Sequence, residues 1–103
     1  MSQSVPAVRD PERCPSHPGM LIADLVETLP IGVTELADRL GISRVQVHRI
    51  IRGQRPVSPS TAARLGRVFG DGAGVWLRMQ AAHDAWHAER STDLSTVQPL
   101  EGV

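Results

Sequence analysis

The stretch Val33-Thr34-Glu35-Leu36-Ala37-Asp38-Arg39-Leu40-Gly41-Ile42-Ser43-Arg44-Val45-Gln46-Val47-His48-Arg49-Ile50-Ile51-Arg52-Gly53 decides the fold. Leu36, Ala37 and Leu40 recur at helical spacing and stop at Gly41, a residue that adopts the positive φ needed to end a helix and turn the chain. Ser43 then opens a second helix, with Gln46 three residues on completing a Ser-x-x-Gln capping box, and Gly53 closes it. Two short helices joined by a tight glycine turn make a helix-turn-helix.

Projected at about 100° per residue, the second of these helices places Val47, Ile50 and Ile51 on one side and Arg44, His48, Arg52, Val45 and Arg49 on the other. The first set is core and the second faces solvent. Charge gives the solvent side its meaning. Seven arginines (39, 44, 49, 52, 55, 64 and 67) lie between Arg39 and Gly70, with no Asp or Glu among them. The chain as a whole is neutral, but residues 33–67 carry a net +5 while residues 1–32 carry −2 and residues 68–103 carry −3. A basic middle flanked by acidic ends is the electrostatic footprint of a nucleic-acid-binding face. Every cation is arginine and none is lysine.

A chain of 103 residues suits one domain with a modest core. The single cysteine, Cys14, has no partner for an internal disulfide, and no apolar run is long enough for a membrane span or signal peptide, so a reducing cytoplasm is expected. With only Phe69, Trp76 and Trp86 as aromatics among many Leu, Val, Ile and Ala, the composition favours helix over sheet. The fold class predicted is all-α, with five helices.

Prolines 6, 11, 15 and 18 make residues 1–16 a flexible Pro-rich arm. From Gly19, the residues Leu21, Ile22, Leu25, Val26 and Leu29 predict a first amphipathic helix ended by Pro30 and Gly32. After the helix-turn-helix, Ser58 as cap and Pro59 at the first helical position begin a fourth helix whose Ala62, Leu65, Val68 and Phe69 face inward, up to Gly70. A long fifth helix runs from about Ala73 to Arg90, with Val75, Trp76, Met79, Ala82 and Trp86 in one stripe. That stripe exceeds what a small domain needs, so two readings stand: both tryptophans are core of their own domain, or Trp76, Met79, Ala82, His83 and Trp86 meet a second subunit as the expected dimerisation residues. The domain is bounded at 17–90, with 91–103 as a flexible acidic tail.

From His17 to Ala88 the chain resembles the HigA family of antitoxins, within the Cro/CI-type (XRE) helix-turn-helix repressors. The residues that carry the resemblance are His17-Pro18-Gly19, Val33-Thr34-Glu35-Leu36-Ala37, Leu40-Gly41-Ile42-Ser43-Arg44, Arg55-Pro56-Val57-Ser58-Pro59, and Trp76-Leu77-Arg78-Met79-Gln80-Ala81-Ala82-His83-Asp84-Ala85-Trp86. Two departures stand out: Gly72-Ala73-Gly74 replaces a Ser-Pro-Glu-like cap, and His83 stands where a tyrosine is common. The resemblance implies a homodimer that neutralises a HigB-type, RelE-like ribonuclease toxin and represses its own operon. A repressor of the same fold with no toxin partner is the alternative. The Pro-rich arm, the first helix and the acidic tail are the candidate toxin-binding surfaces; their negative charge suits a basic partner.

In a helix-turn-helix the N-terminal end of the second helix enters the major groove, so Arg44 and Arg49 are placed to meet guanine edges and Val45 a thymine methyl. Thr34, Ser43, Gln46, Arg52 and Arg55 are assigned to phosphates, and the operator is expected to be an inverted repeat. No catalytic residue, metal or cofactor is expected. His83 and His87 have the i, i+4 spacing of a ligand pair, but no motif supplies a third ligand, and Cys14 with His17 resembles a nucleophile and base only by proximity.

Overall fold

A computed structural model describes residues 11–101 and contains α1 (Pro18–Thr28), α2 (Val33–Leu40), α3 (Arg44–Ile51), α4 (Pro59–Phe69) and α5 (Ala73–Ser91), with no strand among the described residues. The chain is therefore all-α with five helices, α2 and α3 forming the helix-turn-helix that its sequence predicts. The part of the expected arm in residues 1–10 and the last two residues of the expected tail lie outside the described residues.

Each boundary follows from a local group. Gly41, at φ 73°, donates its N–H to the Ala37 carbonyl at 2.9 Å and turns the chain from α2 toward α3. The Ser43 hydroxyl accepts from the Gln46 N–H at 3.1 Å, and the Gln46 amide oxygen accepts in return from the Ser43 N–H at 3.1 Å, so the predicted capping box is present. Ser58 caps α4 by accepting from the Thr61 N–H at 3.2 Å, with Pro59 in the first turn. α1 begins one residue before Gly19, and His17 caps it through Nδ1, which accepts from the Gly19 N–H at 2.9 Å. Burial pushes the His17 pKa below the ordinary histidine value, and the neighbouring His83 adds to the effect, which favours the neutral ring whose Nδ1 lone pair makes the cap.

The core gathers Ile22 from α1, Leu36, Ala37 and Leu40 from α2, Val47 and Ile50 from α3, Val57 from the loop, Ala62 and Leu65 from α4, and Trp76 from α5. α1 crosses α3 so closely that a Cβ at Gly19 would overlap the Ile50 carbonyl, which explains glycine inside the first turn of a helix. α4 and α5 share the largest interface, and Phe69 lies 5.8 Å from Trp76, ring centre to ring centre.

Three expectations need correction. Leu21 and Leu29, assigned to the inner face of α1, are exposed because α1 is covered only along its Ile22 side by α3 and α5. Trp76 is fully buried and donates through Nε1 to Asp71 at 3.0 Å, so it offers no surface to a second subunit. Over residues 11–16 the expected free arm is laid along α5. The Pro11 carbonyl accepts from Trp86 Nε1 at 3.2 Å and from Arg90 at 2.6 Å, and the Pro15 carbonyl lies 2.7 Å from His83 Nδ1.

Candidate nucleic-acid interface

The solvent face of α3 is set by its opposite face. Val47 and Ile50 are buried and Ile51 is half-buried, which turns Arg44, Val45, His48, Arg49 and Arg52 outward. Val45 is 57% exposed, although an apolar side chain at that level of exposure gains nothing from the core. The structure brings Thr34 beside the start of α3, where its hydroxyl accepts from the Arg44 guanidinium at 3.4 Å. Ser43, Arg44, Val45 and Gln46 form the first turn, and Arg49 and Arg52 follow along the exposed face. Arg55 stands in the exposed loop after Gly53, anchored by its backbone N–H to the Arg49 carbonyl at 3.2 Å.

Hydrogen bonding divides the arginines. Arg39 forms an ion pair with Glu35 at 2.9 Å, one turn back on α2. Arg64 donates to the Leu40 carbonyl at 2.8 Å, satisfying a C-terminal backbone group of α2 from across the domain. Arg49, Arg52, Arg55 and Arg67 make no ion pair or side-chain hydrogen bond among the described residues, and Arg44 has only its long contact with Thr34. Three of these unpaired guanidinium groups project from α3 or the loop behind it, where an incoming phosphate or base edge meets no internal competitor.

Ser43 and Gln46 are more committed. Their cap uses the Gln46 carbonyl oxygen and one lone pair of the Ser43 hydroxyl, which leaves the Gln46 amide NH2 as the group able to reach outward. Of the other residues assigned to dimerisation, Met79 packs partly against the core, Ala82 and His83 are half-buried, and Trp86 is half-covered by the Pro11 carbonyl and by Arg90, whose guanidinium lies 3.9 Å from the ring centre.

Two supporting residues escaped the sequence reading. Gln80 is buried on α5 and accepts from the Val57 N–H at 2.7 Å while donating to Asp84 at 2.8 Å. Arg64 is counted in the basic block of the sequence, yet its side chain ends α2. A polar residue one turn after a fully buried tryptophan was the available signal for Gln80; nothing local marks Arg64.

The helix-turn-helix family pattern matches residues 31–72. Among relatives, the uncharacterised HTH-type transcriptional regulator YbaQ of Escherichia coli is 35% identical over 80 residues, covering 77% of this chain and 71% of its own. An addiction module antidote protein of the HigA family from Coxiella burnetii superposes with a TM-score of 0.78 at 29% identity, covering 85% of this chain and all of the other. The Pseudomonas aeruginosa antitoxin HigA, solved with the higBA promoter, superposes with a TM-score of 0.73 at 32% identity over 84% of this chain and 98% of its own.

Proposed function

The chain belongs to the Cro/CI-type helix-turn-helix family, with HigA antitoxins among its structural neighbours, and from that premise we propose that it is the antitoxin of a type II toxin-antitoxin module. As a homodimer it binds an inverted-repeat operator and represses its own operon; by direct contact it neutralises a HigB-type ribonuclease. The observation that carries the DNA half is the exposed row of arginines along α3 and its C-cap, none of them in an ion pair among the described residues, with Arg44 and Arg49 on base edges, Val45 against a thymine methyl, and Thr34, Ser43, Gln46, Arg52 and Arg55 on phosphates.

The toxin half draws support from α1. Met20, Asp24 and Glu27 follow one another at i, i+4 and i+7 on its exposed side, with Leu21 and Leu29 also exposed, a mixed apolar and acidic surface suited to a basic protein. What remains exposed of Met79, Ala82 and Trp86 on α5 is the proposed contact between subunits, while His83 is turned to the Pro15 carbonyl.

Tagged protein expressed from its native operon supplies the test. Recovery of a stoichiometric small basic partner whose expression alone arrests growth supports the antitoxin reading. Recovery of only the chain itself and operator DNA makes it a stand-alone dimeric repressor. Absence of any specific DNA fragment overturns both.

A further inference from the structure

Cys14 lies 3.8 Å from His83 Nδ1 and 3.5 Å from His87 Nε2, measured from its sulfur. The two histidines are one turn apart on α5, and the cysteine is delivered to them by the segment that the Pro11 and Pro15 carbonyls fasten to the same helix. A tetrahedral zinc ion, with Zn–S about 2.3 Å and Zn–N about 2.0–2.1 Å, holds its sulfur and nitrogen ligands roughly 3.5–3.6 Å apart. Both sulfur–nitrogen distances here fall within a few tenths of an ångström of that edge. One ligand atom from each of the three residues lies within 4.8 Å of the others. A closed tetrahedron needs about 3.3 Å between the two nitrogens, a difference that rotation of the exposed His87 ring accommodates.

We propose that Cys14, His83 and His87 form a zinc-binding site with three protein ligands and a fourth position open to solvent, and that the ion staples the N-terminal segment to α5. Donor chemistry selects the metal class: one thiolate and two imidazoles suit a borderline-soft ion such as Zn²⁺ and disfavour Mg²⁺ or Ca²⁺, which require oxygen. Without metal, the His83 Nδ1–H donates to the Pro15 carbonyl and the Cys14 thiol donates to the same oxygen at 3.3 Å. On binding, the Pro15 carbonyl turns off the Nδ1 axis that it occupies without metal, the His83 proton moves to Nε2 so that the freed Nδ1 lone pair faces the ion, and the Cys14 thiol proton passes to solvent as the metal–sulfur bond forms.

The ligands join positions 69 and 73 residues apart in sequence, so the ion closes a link that spans the whole helix-turn-helix. Cys14 and His83 also line a groove with Met20, Ile51, Arg52 and Gly53, which opens the site to solvent beside the C-terminal end of α3.

The full chain, stripped with a chelator, is titrated with Co²⁺ and then with Zn²⁺. The expected result is one ion per chain, a thiolate-to-cobalt charge-transfer band, the intense visible bands of tetrahedral cobalt, and displacement by one equivalent of zinc. Cys14→Ser removes the charge-transfer band, and both Cys14→Ser and His87→Ala weaken binding about tenfold or more. His48→Ala, on the exposed face of α3, leaves the titration unchanged. Circular dichroism of the metal-free variants checks that each is folded, as expected for residues outside the buried core. A weak octahedral spectrum lacking the charge-transfer band, or equal affinity in wild type, Cys14→Ser and His87→Ala, overturns the proposal.

Discussion

The exposed face of α3 and the polar side chains of α5 are held in opposite ways. On α5, Gln80 is bonded to Val57 and Asp84, His83 to Pro15, and Arg90 to Pro11 and the face of Trp86. On α3, Arg49 and Arg52 have no partner among the described residues, and Arg44 has one long contact. These groups of α5 are satisfied within the chain, and the arginines of α3 are left open to solvent. Charge counted along the sequence does not make that distinction, since Arg39 and Arg64 add to the same basic block while serving α2.

The contrast breaks first at the core that supports α5. Trp76→Ala removes the largest fully buried side chain and is expected to cost about 3–5 kcal/mol of stability in denaturant unfolding; a loss under about 1 kcal/mol would show that α5 is not anchored there. Arg44→Ala and Arg49→Ala should each cost about 1–3 kcal/mol of operator affinity and relax preference at one or two base pairs, with the unfolding midpoint unchanged. Equal specificity in both variants would remove α3 from the groove. Gln80→Ala leaves the buried Val57 N–H unpaired and should cost about 1–3 kcal/mol of stability. Ser43→Ala should cost about 1 kcal/mol through the lost cap. Arg39→Ala closes the series: its ion pair is exposed on both sides, so unfolding should move by no more than about 0.5 kcal/mol. A larger loss would mean that the basic block stabilises the fold as a unit.

The elements that sequence alone placed well are those whose ends are written locally. Gly41, the Ser43–Gln46 box and the Ser58–Pro59 start lie within four residues of the groups they satisfy, so reading them needs no knowledge of the rest of the chain. Periodicity found which side of α3 is buried for the same reason. It failed where the deciding neighbour was distant. Leu21 and Leu29 fit an apolar stripe, but which part of that stripe is covered depends on how α3 and α5 cross α1. Trp76 and Trp86 occupy one stripe, yet Phe69 and Asp71 enclose the first while the second meets a segment 75 residues earlier. The prolines of residues 11–16 exclude helix without excluding order, because their carbonyls remain acceptors.

Gln80 ties α5 and the loop between α3 and α4 into a single mechanical body. Its amide grips the backbone of Val57, next to the Ser58 cap of α4, and is itself held by Asp84 farther along α5. Sliding α5 against that loop would strand a buried donor and a buried acceptor together, at about 1–3 kcal/mol for each. A load applied to the long helix is therefore carried through this strut to the loop that joins α3 to α4 instead of being absorbed by slack between them.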